Sequence, residues 1–238
     1  HIGSDQDLCD AVNHDGTRAL LEQVRAAGVE RVIHLSTTAI YGHGVHRGAS
    51  ESILAPVPVS ATSRSRLRAE RLVREVGGIV LRPHLVYGTG DVWFVPTLLR
   101  LLDKVPAWID RGGALASLVS VDDLAAVAAA LTRMPWGPSR GAVFHVSHPE
   151  PVRMRDLVSQ TYKELGLALP DADLPAREHR ELTRQALPGL TDHQFELLAF
   201  DHWYDSSRIW QYTGVHPGPG LTQRLPAAAP WYREHVAA

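Results

Sequence analysis

Arg82-Pro83-His84-Leu85-Val86-Tyr87-Gly88-Thr89-Gly90-Asp91, read together with His34-Leu35-Ser36-Thr37-Thr38-Ala39-Ile40-Tyr41-Gly42, decides the fold of this chain. The run Arg31-Val32-Ile33-His34-Leu35 reads as a strand that stops at three successive hydroxyl residues, Ser36, Thr37 and Thr38. It therefore sets hydrogen-bond donors at the carboxyl edge of a sheet, where open α/β folds bind ligands. A second strand, Gly78-Ile79-Val80-Leu81-Arg82, does the same and breaks at Pro83. Between the two, Leu67, Leu72 and Val73 recur at helical spacing among arginines and glutamates, which predicts a helix over Ser60–Glu75. The three pieces make a strand-helix-strand unit.

Beyond Asp91 the pattern changes. Trp93, Phe94, Val95, Leu98, Leu99, Leu101 and Leu102 predict an amphipathic helix, and Ala114–Val121 a return to the sheet. A helix with an acidic start follows over Asp122–Met134, a strand over Ala142–Val146 and a helix over Arg153–Leu165. The stretch Pro170–Pro188, rich in Pro, Arg and Glu, reads as a lid or connecting element, and Thr191 as the N-cap of a helix through Phe200. The expected fold is α/β, a Rossmann-like doubly wound parallel sheet with a smaller carboxyl-terminal substrate-binding lobe. Residues 1–92 are expected to hold the first of these strands, and 93–238 the remaining strands and the lobe.

With 238 residues, 45% of them apolar, the chain can bury a substantial core. Its formal charge of −2 gives no electrostatic footprint for nucleic acid. No apolar stretch approaches the length that crosses a bilayer, and no signal segment opens the sequence, so no membrane partner is expected. Cys9 stands alone and cannot form an intrachain disulfide, which fits a reducing cytoplasm.

Histidine invites a metal reading, with His43 near His46, and His145 and His148 near Glu150. Neither pair has the spacing that sets two imidazoles on one helix face, and strand alternation sends His145 and His148 to opposite sides. No metal site is expected. A serine hydrolase would need a G-x-S-x-G elbow, and the sequence has none.

The order of these pieces resembles the extended short-chain dehydrogenase/reductase family of nucleotide-sugar epimerases, dehydratases and ketoreductases. Asn13-x-x-Gly16-Thr17, Ser120-Val121-Asp122-Asp123 and Asp205-Ser206-Ser207-Arg208 look like further family landmarks in the family's order. The resemblance implies NADP or NAD as cofactor, a small-molecule ketone as substrate and a homodimer as the usual arrangement. It implies that Ile2 and Gly3, Leu35 and Ser36, Arg66, and the backbone of Pro83, His84 and Leu85 meet the cofactor. Thr38, Tyr41, His43, Tyr87, Trp93 and Phe94 would face substrate. His1-Ile2-Gly3 resembles the end of the family's fourth strand, so the N-terminal strands and the Gly-rich pyrophosphate turn are expected to lie upstream; the sequence shown has no G-x-G-x-x-G.

The family's proton donor is a tyrosine activated by a lysine four residues later. None of Tyr41, Tyr87, Tyr162, Tyr204, Tyr212 and Tyr232 is followed by lysine at that distance, and the sequence has only Lys104 and Lys163. With Glu70 as the anchor of the family pattern, Thr62 stands at the tyrosine position and Arg66 at the lysine position. Thr37 resembles the catalytic serine or threonine. An aliphatic hydroxyl is a far weaker acid than a phenol, so Thr62 could orient or relay a proton but not supply one. Arg66 keeps its charge and could steady negative charge on oxygen. Thr38 and Ala39 replace the Asp and Glu with which the sugar dehydratases eliminate water, which removes that chemistry.

Three readings follow. The first is an NAD(P)H-dependent ketoreductase of antibiotic metabolism, acting on an aromatic polyketide or a nucleotide-linked 4-keto-deoxysugar without the Tyr/Lys pair. The others are a nucleotide-sugar epimerase and a non-catalytic NAD(P)-binding sensor.

Overall fold

The computed structural model describes residues 1–236. At the amino end α1 (Gln6–Cys9), a π-helical stretch over Asp10–Asp15 and α2 (Gly16–Ala26) run on as one helical segment. There follow β1 (Ile33–Leu35), β2 (His46–Ala49), α3 (Ala61–Glu75), β3 (Ile79–Pro83), β4 (Leu85–Tyr87), α4 (Phe94–Lys104), β5 (Ala107–Ile109), β6 (Leu115–Ala116), β7 (Leu118–Ser120) and α5 (Val121–Arg133). The remainder is β8 (Val143–Val146), β9 (Val152–Arg153), α6 (Met154–Leu165), β10 (Ala172–Leu174), α7 (Ala176–Ala186), α8 (Asp192–Ala199), β11 (His202–Tyr204), α9 (Ser207–Thr213) and α10 (Leu221–Val236).

Strand β3 is the centre of the parallel sheet, in the order β1-β3-β8, and every one of its residues is buried. Leu81 lies opposite Leu35 on one side and Phe144 on the other. Alternation along the strand serves two helical layers. Val80 packs with Leu21 of α2 and Val73 of α3, whereas Ile79 and Leu81 join Val127 and Leu131 of α5 and Ile209 of α9. Helices on both faces of a parallel sheet are the expected Rossmann-like arrangement.

Helix α3 starts at a reciprocal cap. Ser60 Oγ accepts the Ser63 N–H and Ser63 Oγ accepts the Ser60 N–H, both at 3.0 Å. It stops where Gly77 takes a φ of 79°, a conformation that costs glycine nothing, and the chain turns straight into β3.

Three expectations are corrected in detail. The first strand is only Ile33–Leu35, shorter than the run from Arg31. Pro83 does not break its strand but is its last paired residue, opposite Val146; at the strand end the missing N–H interrupts no inner ladder bond. The Ala114–Val121 return splits in two, β6 pairing with β11 and β9, and β7 with β4. Ser117 joins the two ladders, donating its N–H to the His202 carbonyl at 2.9 Å and accepting the Tyr204 N–H on Oγ at 3.0 Å. The region Pro170–Pro188 is an ordered connection, β10 on β5 followed by α7.

A second apolar cluster fills the carboxyl-terminal part, where Leu98 and Leu101 of α4 meet Leu157 of α6 and Leu225 and Tyr232 of α10. No helix among the described residues is long and apolar enough to cross a membrane.

Candidate active site

Strands β1 and β3 end side by side, and the loops leaving them open a cleft of about 800 Å³ at the carboxyl edge of the sheet. Leu35, Ser36 and Thr37 from the first strand end and Pro83, His84 and Leu85 from the second line it together with Ile2 and Arg66. Val92, Trp93 and Phe94 form a wall ahead of α4, and Leu197 and Leu198 of α8 form another. Most of this lining is aliphatic or aromatic. Asp91 also lines the cleft, but its carboxylate is committed, accepting the N–H groups of Trp93, Phe94 and Val95 and the Tyr232 hydroxyl at 2.8 to 3.0 Å. It caps α4.

Arg66 differs. Its one hydrogen bond among the described residues runs from Nη1 to the Ser36 carbonyl at 3.5 Å, and no carboxylate pairs with it. Burial lowers the pKa of its guanidinium, the expected effect of holding an uncompensated charge away from water. Ser36 is 2% exposed and its hydroxyl meets no partner among the described residues.

The other sequence-derived candidates lie elsewhere. The Thr62 hydroxyl donates to the Gly3 carbonyl and accepts the Gly3 N–H, both at 3.0 Å, so these two residues satisfy each other at the rim. Thr38 is buried, with Oγ1 at 2.8 Å from His84 Nδ1. Tyr41 is 3% exposed, its hydroxyl 2.6 Å from His145 Nε2 and accepting from Arg82 Nη1 at 2.8 Å. A phenol so committed behind the sheet does not reach the cleft, which corrects its assignment to substrate. Tyr87 faces a separate depression with His148 and Glu150, where burial pushes its hydroxyl up to about 12. His43 Nδ1 lies 2.6 Å from Glu196 Oε2, outside the cleft.

Residues 2–176 match the model of the 3-beta hydroxysteroid dehydrogenase/isomerase family. The chain belongs to this family. The extended short-chain dehydrogenase/reductase resemblance of its sequence is thereby confirmed. Among curated relatives, 3beta-hydroxysteroid-dehydrogenase/decarboxylase isoform 2 of Arabidopsis thaliana is 25% identical over 87% of this chain and 42% of its own length. The 4-hydroxy-2-methyl-3-oxo-4-farnesyl-3,4-dihydroquinoline-1-oxide ketoreductase of Stigmatella aurantiaca is 25% identical over 69% of this chain and 51% of its own length. The chain therefore spans about half the length of these two relatives. Among solved structures, UDP-glucuronic acid 4-epimerase from Bacillus cereus in complex with NAD superposes with a TM-score of 0.72 at 20% identity, over 98% of this chain and 71% of that one. That likeness is one of fold.

Behind the cleft this family member carries a buried polar cluster that its sequence did not announce. Glu70 and Arg82 form a two-pronged ion pair, Arg82 reaches Tyr41, and Tyr41 reaches His145. Alongside, His46 Nδ1 sits 2.9 Å from the Tyr204 hydroxyl, and His84 stacks on His202 at 5.8 Å between ring centroids. Burial lowers the pKa of His145 to about 4 and of His202 to about 4, and pushes that of His84 well below the usual histidine value. These imidazoles are neutral at pH 7 and hold the strand ends rather than exchange protons with them.

The structure also adds cleft residues that sequence reasoning missed, chiefly Gln194, Leu197 and Leu198 of α8. The signal for the helix itself was legible in its Thr191 cap. Its placement across the strand ends depends on packing 100 or more residues away and has no local signature.

Proposed function

We propose that the protein to which this chain belongs is an NAD(P)H-dependent ketoreductase acting on an apolar ring ketone. The observation that carries the reading is the guanidinium of Arg66, paired with no carboxylate among the described residues, facing with Thr37 a cleft whose walls are mostly apolar. The one orphaned hydroxyl of Ser36 and the backbone of Pro83, His84 and Leu85 fit the polar face of a nicotinamide, so these residues and Arg66 would hold that half of the cofactor. When bound, the reduced nicotinamide supplies the hydride.

Arg66 supplies what the carbonyl oxygen needs as it gains charge, a fixed cation in a poorly solvated place. Thr37 orients that oxygen by a hydrogen bond from Oγ1, which already accepts the Ala39 N–H at 3.1 Å and so is held in place. The final proton comes to the alkoxide from water, or from a phenolic hydroxyl of the substrate itself, since Thr62 is spent on Gly3. An aromatic polyketide suits these walls better than a nucleotide sugar, whose phosphates would need more cations than Arg66. The sugar epimerase reading is disfavoured for the same reason and because oxidising an alcohol requires a base, which Thr62 is not. The ketoreductase named for Stigmatella aurantiaca lends the reading support by analogy.

The test is turnover of NADPH and NADH by the full-length protein, followed by absorbance, against panels of aromatic ketones and 4-keto-sugar nucleotides. Turnover with aromatic ketones is expected. Cofactor binding with no turnover in either panel would leave the non-catalytic sensor as the better reading.

A further inference from the structure

We propose that His43, His193 and Glu196 form a divalent-cation site of the zinc type that pins α8 to the loop following Thr37–Tyr41. One ligand atom from each of the three residues lies within 4.8 Å of the others. His193 and Glu196 stand three apart on α8, a spacing that puts both on one helix face. His43 comes from 150 residues earlier in the chain, and its ring meets that of His193 edge-on at 5.4 Å between centroids.

The decisive side chain is His193. It is 7% exposed, and among the described residues neither ring nitrogen reaches a partner in good hydrogen-bond geometry, although the Ala39 backbone lies close by. Buried polar groups are almost always satisfied, so a buried imidazole without a well-formed hydrogen bond, beside a histidine and a carboxylate, calls for a ligand. His43 Nδ1 and Glu196 Oε2 are already drawn together at 2.6 Å, and Arg180 Nη2 holds the other Glu196 oxygen at 3.3 Å. That contact fixes the carboxylate plane, and a cation would take the place of the proton that His43 Nδ1 and Glu196 Oε2 share. Two imidazoles and one carboxylate, with an open fourth position for water, are a donor set that zinc accepts at donor distances of about 2.0–2.2 Å.

The site has a consequence for the cleft. Gln194 lies between two of the ligands, and Leu197 and Leu198 follow them; all three line the cleft. An ion here would fasten that wall to the loop leaving β1.

The experiment uses the full-length protein, stripped with a chelator and titrated with Zn²⁺ by calorimetry and with Co²⁺ by visible absorption. One equivalent should bind, with the intense Co²⁺ bands of a four-coordinate site and a rise in thermal midpoint. His43→Ala, whose side chain is exposed and whose loss should not threaten folding, and His193→Ala should each weaken binding by more than about tenfold, while His216→Ala should not. Absence of saturable binding, or equal binding by wild type and His43→Ala, would overturn the proposal, whatever ketone the protein reduces.

Discussion

Arg82 and Glu70 meet in two parallel hydrogen bonds, Nε to Oε1 at 3.0 Å and Nη2 to Oε2 at 2.5 Å, with side chains only 5% and 1% exposed. The pair ties α3 to the central strand. Replacing Glu70 by Ala strands a buried guanidinium, and breaking such a pair from one side costs about 3–5 kcal/mol. Urea unfolding of Glu70→Ala should show a loss of that order. A loss under about 1 kcal/mol would mean that Tyr41 alone satisfies Arg82.

In the sequence Glu70 served only as a ruler, the fixed point from which Thr62 and Arg66 were located. In the structure Arg66 of that helix lines the cleft, whereas Thr62 pairs with Gly3. Local signals were enough for the layered fold: the strand runs, the helical spacing after Ser60, the Thr191 cap, and the hydroxyl cluster that ends β1. They could not show what lies opposite. That Tyr41 turns inward to His145, 104 residues away, or that His43 meets Glu196, depends on pairings of distant segments. A tyrosine after a strand end looks the same whether it faces a ligand or the core.

Arg66 and Thr37 separate from Thr62 by kinetics. Removing a group that stabilises developing charge costs about 10²–10³ in turnover, so Arg66→Ala should lose that much while unfolding normally, since its only partner is one long bond to Ser36. Thr37→Ala should fall in the same direction and also lose about 1 kcal/mol of stability as the Ala39 cap disappears. Thr37→Ser should restore both. Thr62→Ala should chiefly loosen the Gly3 segment. Equal turnover in all four variants would remove these residues from the chemistry.

Stability should fall on acidification in the window between pH 6.5 and about 4. Burial lowers the pKa of His145 to about 4 and of His202 to about 4, so the unfolded chain binds more protons than the folded one below pH 6.5. Their contribution is fully present above 6.5 and is lost as pH drops through the folded values. At about 1.4 kcal/mol per pKa unit, each histidine accounts for roughly 3 kcal/mol across the window. Denaturant unfolding at a series of pH values should show the slope, and His145→Asn should reduce it. A flat profile from pH 7 to pH 5 would contradict the burial of neutral imidazoles.

Trp93 tests the apolar character of the substrate. It is 57% exposed at the cleft mouth, so it is not needed to hold the core together. A ligand that covers it gains the burial of a large aromatic side chain, and the same contact is made before and during hydride transfer. Truncation to Ala should therefore raise KM by about tenfold or more while leaving kcat unchanged, the signature of lost uniform binding. Stability should stay within about 0.5 kcal/mol of wild type, as for exposed positions generally. A fall in kcat with unaltered KM would mean that Trp93 acts on the reacting carbonyl instead, and would move the substrate's polar end from the Thr37 side of the cleft to its mouth.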